Sequence, residues 1–487
     1  MRPSRLPLQA GTIMAEALWT IDELLAATGG KLHGTVTRLL TAVTIDSRAV
    51  KPGDIFVAIK GDKHDGHDFV ANALKAGAGL GLVSRVTPDM LAAGPVLEVA
   101  DDPLRGLEKM GLAARARSAA QIVAVTGSVG KTSTKEMLRT ALSASGETHA
   151  SAASFNNHWG VPLTLARMPR SAAFGVFEIG MNHAGEITPL VGMVRPHVAI
   201  ITTIAASHLG NFSSLDGIAD AKAEIFSGVV TGGHAIISRD TPYFERLSAA
   251  AWACGIRSVV SFGKHAQADV RMERVALLAD CCCVTADVMG ETVSYKLGLP
   301  GEHMAVNSLA VLAAAKLTGA DLARAALALA AAAPAKGRGV RERLSIAGGE
   351  LLLIDESYNA NPASVAAALG LLGAAQPPRG GRRIAVLGDM LELGEQSPEL
   401  HAGLIEPMDA AKVDVLYAAG PLMANLWARV AGTRRGAYAE NSDGLRDVLL
   451  KALRPGDVVM IKGSLGSRMG PLVEVIRAAH PPLAKET

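Results

Sequence analysis

Short apolar runs recur along this chain, each closed by a glycine or polar turn and followed by a segment of helical period. Ile122–Val125 is an unbroken apolar run of the kind that forms a buried strand, and from Lys131 to Ser143 the apolar positions follow a 3.6-residue repeat. Further strand-like runs lie at Phe174–Ile179, Val198–Thr203, Ala235–Ser238 and Val259–Phe262, with helical patterns at Met304–Leu317 and Leu322–Ala332. Upstream, from about residue 17 to 112, the runs Ile55–Ile59 and Gly81–Val83 alternate with turns and short helical patterns. The rhythm restarts at Leu351–Ile354, Ile384–Leu387, Val413–Ala418 and Val458–Ile461. Strands alternating with helices predict α/β domains built on mainly parallel, helix-covered sheets. Arg115–Ser118 and Pro334–Gly337 read as linkers, which divides the chain into domains at 14–113, 118–334 and 335–487.

Length agrees with that division, since 487 residues exceed one ordinary domain of about 150. Apolar residues make up 49% and charged residues 19%, enough for large cores. A net charge of +2 gives no basis for a nucleic-acid footprint. Positive mean hydropathy comes from alanine-rich stretches, and no run of about 18 apolar residues reads as a spanning helix. The four cysteines are Cys254 and the trio Cys281, Cys282 and Cys283. Adjacent cysteines make a poor disulfide framework and lack zinc spacing, so a reducing, cytoplasmic setting is expected, with the trio in a strand. The first thirteen residues are basic without an apolar core and are read as an upstream extension, with Met14 as the start.

The strongest chemical signal is Thr126-Gly127-Ser128-Val129-Gly130-Lys131-Thr132-Ser133, between a strand and a helix. Glycines allow backbone N–H groups to wrap a phosphate chain, and the helix N-terminus adds positive potential. Lys131 then neutralises the β- and γ-phosphates and Thr132 ligates Mg²⁺. One position departs from the usual pattern: Val125 stands where the first glycine is expected. Glu178 ends an apolar strand, where a carboxylate either meets a cation or reaches solvent. His208 follows another strand and Lys222 sits on a helix; alone, each reads as an ordinary surface side chain. Thr132, Glu178 and His208 follow separate strands of one predicted sheet, which allows them to converge.

The ordered motifs resemble the Mur ligases, ATP-dependent amide-bond-forming enzymes of bacterial cell-wall synthesis. They are Thr126 to Glu136 (TGSVGKTSTKE), Phe155 to Pro162 (FNNHWGVP), Glu178 to Glu186 (EIGMNHAGE), Ser207-His208, Lys222 and Gly301 to Asn307 (GEHMAVN). Gly337-Arg338, Asp355 to Pro362 (DESYNANP), Gly388 to Gly394 (GDMLELG) and Lys462-Gly463-Ser464 continue the series. The implied fold has three domains, with a central P-loop ATPase-type sheet, a C-terminal Rossmann-like domain and an N-terminal domain for a UDP-linked substrate. Tyr358-Asn359-Ala360-Asn361-Pro362, and the N-terminal segment from Asp46-Ser47-Arg48 to Asp65-Gly66-His67-Asp68-Phe69, resemble the members that join D-alanyl-D-alanine to UDP-N-acetylmuramoyl-tripeptide. The alternatives are a family member adding a diamino acid, a folylpolyglutamate synthase-like ligase, and a nucleotide-binding regulator without turnover. The first lacks support because no Asp-Asn-Pro-Arg signature occurs here. Lys131, Glu178, His208 and Lys222 together argue against the last.

The resemblance implies ATP and two Mg²⁺ ions, with Thr132 and Glu178 on one ion and His208 and Lys222 on the other. The family carries a carbamylated lysine at the position of Lys222. Asn307 is expected at adenine, Arg338 at the nucleotide from the hinge, and Asp355 or Glu356 at the ribose. Asn156 and Asn157 are expected near the phosphates or the peptide, Asn359 and Asn361 at the incoming dipeptide, and Ser47 and Arg48 at the uridine nucleotide. Closure about 334–339 is expected before transfer. The partners implied are small molecules alone, with a monomeric protein and no nucleic acid or membrane insertion. Leu465 and Gly470 depart from the family near the C-terminus, where arginine follows Lys-Gly-Ser and glutamate follows methionine.

Overall fold

The computed structural model describes residues 16–483 apart from 62, 153, 208 and 213. The expected upstream extension and His208 therefore lie outside the described residues. The chain forms two compact units: one runs to Ala119 and includes His158–Ser171, and the other comprises Ala120–Asn157 and the chain from Ala172 onward.

In the first unit a five-stranded sheet runs in the order Lys31–His33, Val96–Glu98, Leu80–Val83, Asp54–Val57 and Ala42–Thr44. All neighbours are parallel except the first pair. The helix Gly160–Ala166 packs here, with Leu163 and Ala166 in the same core as Trp19, Leu82 and Met110. Its location could not be read from sequence order, because it lies inside the stretch assigned to the central domain. The expected linker Arg115–Ser118 is instead the last turn of the helix Pro103–Arg117. Arg117 stacks its guanidinium 3.9 Å from the centre of the Trp19 ring and donates to the Leu18 carbonyl at 2.8 Å. Two arginines that looked like a polar break are thus packed against the core.

The second unit holds two sheets. In the nine-stranded sheet, Gln121–Thr126 lies between Val198–Ile201 and Phe174–Glu178, parallel to both. The strand order reverses at this point, which opens a crevice beyond the carboxyl ends of these strands. Two antiparallel strands, Cys282–Val288 and Glu291–Leu297, extend the far edge from Val270–Leu277. The helix Glu302–Leu317 is buried along every residue from Ser308 to Ala315, and packs with the helix Lys131–Ser143 in one core. Its small alanine side chains allow the helix to be enclosed on all sides without a membrane.

The six-stranded sheet carries the parallel strands Gly349–Glu356, Val458–Lys462, Arg383–Gly388, Val415–Ala419 and Arg435–Ala439, with Val340–Ile346 antiparallel at one edge. Apolar clusters cover both faces, the arrangement expected where strands read as unbroken apolar runs.

Candidate active site

The turn after Gln121–Thr126 has no room for side chains at its glycines. Gly127 has φ 146°, and a Cβ there would lie 1.9 Å from Thr202 Oγ1; Gly130 has φ 88°, and its Cβ would lie 2.6 Å from Asn307 Nδ2. Asn307 is therefore packed against the loop from the helix Glu302–Leu317. The neighbouring strand exit holds the rest of the turn. Thr202 donates its hydroxyl to the Val129 carbonyl at 2.6 Å, and Ser128 Oγ donates to the Ala205 carbonyl at 2.9 Å. Val125 at the position of the missing first glycine is a fully buried strand residue, so the departure costs the turn nothing.

Lys131 starts the helix and folds its ammonium back onto the Gly127 carbonyl at 2.6 Å. Surrounding protein pushes its pKa down, the Glu178 charge pushes it up, and Arg338 pushes it down again. Thr132 donates its hydroxyl to Glu178 Oε2 at 2.9 Å, and Asn156 Nδ2 donates to Glu178 Oε1 at 2.7 Å. Glu178 is 1% exposed, so this buried carboxylate holds Thr132 of the phosphate loop with one oxygen and Asn156 with the other. Lys222, 2% exposed near the end of the helix Leu215–Ala223, has no side-chain hydrogen bond or ion pair among the described residues. Burial first, and the Lys131 charge second, hold its amine well below its ordinary pKa.

The C-terminal sheet closes the other side of a cleft of about 270 Å³ that Ser128–Ser133, Asn156 and Glu178 line. Arg338 and Asn359 reach it, and the Arg338 guanidinium lies 4.3 Å from the centre of the Tyr358 ring. Between the alternatives Asp355 and Glu356, Glu356 lines the cleft. Asp355 instead accepts from the Ser357 hydroxyl at 2.6 Å and from Arg477 at 3.3 Å. Asn361 also borders the cleft, but its Oδ1 caps the helix Pro362–Ala374 by accepting from Ser364 N at 2.9 Å. Asn157 is exposed and outside the lining.

Sequence reading assigned no role to Tyr358, Lys462 or His303, which also line the cleft. Lys462 is 2% exposed and donates to the Asn359 carbonyl at 3.0 Å and to Glu356 at 3.3 Å. Its signal was a lysine ending an apolar strand. A second cleft of about 230 Å³ shares Ser128, Lys131, Tyr358, Asn359 and Asn361 with the first and continues past Leu391, Ser464 and Leu465. Lys131 thus borders both spaces.

In the first unit, Arg48 is clamped on Asp46, with Nε and Nη2 donating to the two carboxylate oxygens at 2.9 and 2.8 Å. Arg48 hydrogen bonds hold the Asp46 pKa down at about 2. Ser47 begins the same short helix, and Arg48 leaves 88% of its side chain exposed. His67 is buried in a structural role: Nδ1 pairs with Asp65 at 2.7 Å, and Nε2 takes the Ser84 N–H at 3.0 Å.

A pinned phosphate loop, a buried carboxylate on the Thr132 hydroxyl and a roof from a second α/β sheet define a nucleotide-binding cleft. Three domain families match in order: Mur ligase family, catalytic domain, over residues 39–96; Mur ligase middle domain over 125–315; and Mur ligase, glutamate ligase domain, over 342–465. The chain belongs to the Mur ligase family. It is 36% identical to the UDP-N-acetylmuramoyl-tripeptide--D-alanyl-D-alanine ligase of Escherichia coli K12, over 94% of this chain and 98% of that one. The Bacillus subtilis ligase of the same name is 30% identical, over 90% and 93%. Among solved structures, MurF from Acinetobacter baumannii superposes with a TM-score of 0.81 at 31% identity, covering 94% of this chain and 98% of that one.

Proposed function

We propose that this chain joins D-alanyl-D-alanine to UDP-N-acetylmuramoyl-tripeptide, converting ATP to ADP and phosphate and forming the UDP-muramoyl-pentapeptide of peptidoglycan synthesis. The observation that carries the reading is the Lys131–Thr132–Glu178 cluster together with the buried Lys222, which has no side-chain partner among the described residues, in a chain similar along nearly its whole length to ligases of that name.

The residues suit magnesium. A buried carboxylate and a hydroxyl at a phosphate loop are hard oxygen donors, and Mg²⁺ takes most of its remaining ligands from water and phosphate. Thr132 and Glu178 would hold one ion, and His208 with Lys222 would hold a second. Carbamylation of Lys222 requires an unprotonated amine, which burial favours, and would replace a misplaced cation by an oxygen ligand. The bound ions would supply charge neutralisation for the phosphates and the peptide carboxylate.

The chain's own part is binding, orientation and exclusion of water. Backbone N–H groups of the loop and Lys131 hold the β- and γ-phosphates; Asn307, Arg338 and Glu356 receive the nucleoside end. The tripeptide carboxylate attacks the γ-phosphorus, giving an acyl phosphate and ADP. The dipeptide amine, held in the second cleft beside Asn359 and Leu465, attacks the acyl carbon, and phosphate leaves with the C–O bond electrons as the amine proton passes to the departing phosphate or to solvent. Ser47 and Arg48 receive the uridine nucleotide. No nucleophilic side chain is needed, because positioning and charge neutralisation carry the reaction. The protein acts as a cytoplasmic monomer.

Phosphate release measured across UDP-muramoyl peptides, folates and candidate amines tests the assignment. Release only with UDP-muramoyl-tripeptide plus D-alanyl-D-alanine is expected, and comparison of meso-diaminopimelate and lysine tripeptides assigns the third residue. Release only with a free diamino acid or glutamate would overturn the reading. Lys131→Ala should lower kcat/KM by about 100-fold or more, since it removes the cation at the transferred phosphate.

A further inference from the structure

One turn beyond Lys131, the same helix carries a second lysine that the proposed reaction does not use. Lys135 is 0% exposed, and its charge is balanced by Glu136 at 2.9 Å. A helix interior is more simply filled by leucine or methionine, because enclosing an ammonium removes its hydration. Besides Glu136, its ammonium reaches the neighbouring edge of the sheet: Nζ donates to the carbonyl of Ser151 at 2.8 Å.

Ser151, 2% exposed, is the first residue past the edge strand Thr148–Ala150. It continues the pairing of that edge by donating its N–H to the Val176 carbonyl at 3.1 Å. Its hydroxyl then takes the Glu178 N–H at 3.4 Å. Five residues on, Asn156 bonds Glu178 from the other direction: its side chain donates to Oε1, and its carbonyl takes the Gly180 N–H at 2.8 Å. The backbone and carboxylate of Glu178 are therefore held by the two ends of the segment that begins at Ser151, and Lys135 fastens its first residue.

We propose that Lys135 is a positioning residue for the magnesium-holding carboxylate: by anchoring the Ser151 carbonyl it fixes the segment that orients Glu178. The inference rests on the reading of the cleft as a magnesium–nucleotide site. Loss of such an outer partner weakens metal binding by about 10–100-fold without removing a ligand. A lysine that served packing alone would affect stability and leave metal affinity unchanged.

The test uses the full chain and Mn²⁺ as the probe, followed by its electron paramagnetic resonance signal in the presence of ADP. Thermal melting is recorded alongside hydrogen exchange of peptides covering Ser151 and Glu178–Gly180. Lys135→Met should weaken Mn²⁺ binding by about tenfold or more and speed exchange in those peptides, with metal-free ADP affinity held within about twofold. Lys135→Arg should recover part of the metal affinity. Ser151→Ala, which removes only the hydroxyl on Glu178 N, should weaken Mn²⁺ binding with a melting temperature near wild type. Mn²⁺ affinity equal to wild type in a folded Lys135→Met would overturn the proposal. If Lys135→Met does not fold, Lys135→Gln, whose shorter side chain falls short of the Ser151 carbonyl, takes its place, and wild-type Mn²⁺ affinity there overturns the proposal. A wild-type chain that binds no Mn²⁺–ADP would instead overturn the active-site reading, and this inference with it.

Discussion

Whether a polar side chain serves the site is decided here by what encloses it. Asp355 and Glu356 are neighbours on one strand, and successive strand residues point to opposite faces. One register position therefore separates a cleft residue from a carboxylate committed to Ser357 and Arg477. Asp355→Asn should accordingly lower the melting temperature while leaving KM for ATP within about twofold, and Glu356→Gln should do the reverse; an ATP effect confined to Asp355→Asn would reverse the assignment. His401 shows the same logic in a titrating group. It is 0% exposed, and Nε2 takes the Met390 N–H at 2.9 Å while Nδ1 faces the Ser397 carbonyl at 2.6 Å. Burial pushes its pKa down, against weaker upward pulls from Ser397 and Asp389. Below about pH 6.5 the unfolded chain then binds a proton that the folded chain refuses, so folding stability falls as pH falls, by at most about 1.4 kcal/mol per pH unit. His401→Gln should flatten that slope in urea melts between pH 5 and 7; an unchanged slope would remove His401 as its source.

At the scale of elements, the sequence was readable wherever local period and burial agreed. The helix Lys131–Ser143 and the strands leading to Glu178 and Lys462 were visible as periodic or unbroken apolar runs with glycine or charge at their ends. The antiparallel extension Val270–Leu297 was missed apart from the cysteine trio, of which Cys282 and Cys283 lie in a strand, because its alternating pattern is broken by charges on an exposed face. Lys222 and Lys135 show the limit of local reading. Each sits on a helix and looks like a solvated stem, and only packing from distant segments encloses them. Asn361 shows the converse, a residue with a local role that a motif would hide. As an N-cap its loss should cost about 1 kcal/mol, and Asn361→Asp should restore stability because a carboxylate oxygen accepts the same bond. If Asn361→Asp melts like wild type yet raises KM for the dipeptide, the amide also serves the acceptor; if activity follows stability alone, the residue is a cap and nothing more.

At the scale of the whole molecule, the chemistry requires that water stay away from the acyl phosphate until the amine arrives. Two features of the second unit bear on this. Gly337 and Gly339 flank Arg338 with φ of 73° and 93°, so the connection into the C-terminal sheet is built from left-handed glycines that can redirect the chain. Across the cleft, Gly210 N donates to the Glu392 carbonyl at 2.9 Å, and a Cβ on Gly394 would lie 3.0 Å from Gly210 Cα. Glu392 itself is left-handed with φ 65°, a conformation that costs a non-glycine residue about 1 kcal/mol or more and persists only where neighbours enforce it. The two lobes therefore meet backbone to backbone beside the second cleft, with no space for a side chain. Gly394→Val should hold that contact open, both by its bulk and because φ 62° disfavours a branched residue. ATP binding at the phosphate loop should persist, while water gains access to the acyl phosphate. The expected result is a ratio of ADP formed to pentapeptide formed that rises above one in the variant and stays near one in wild type. A variant that turns over more slowly with the ratio unchanged would mean that this contact sets the rate of closure and leaves the shielding of the intermediate to other parts of the cleft.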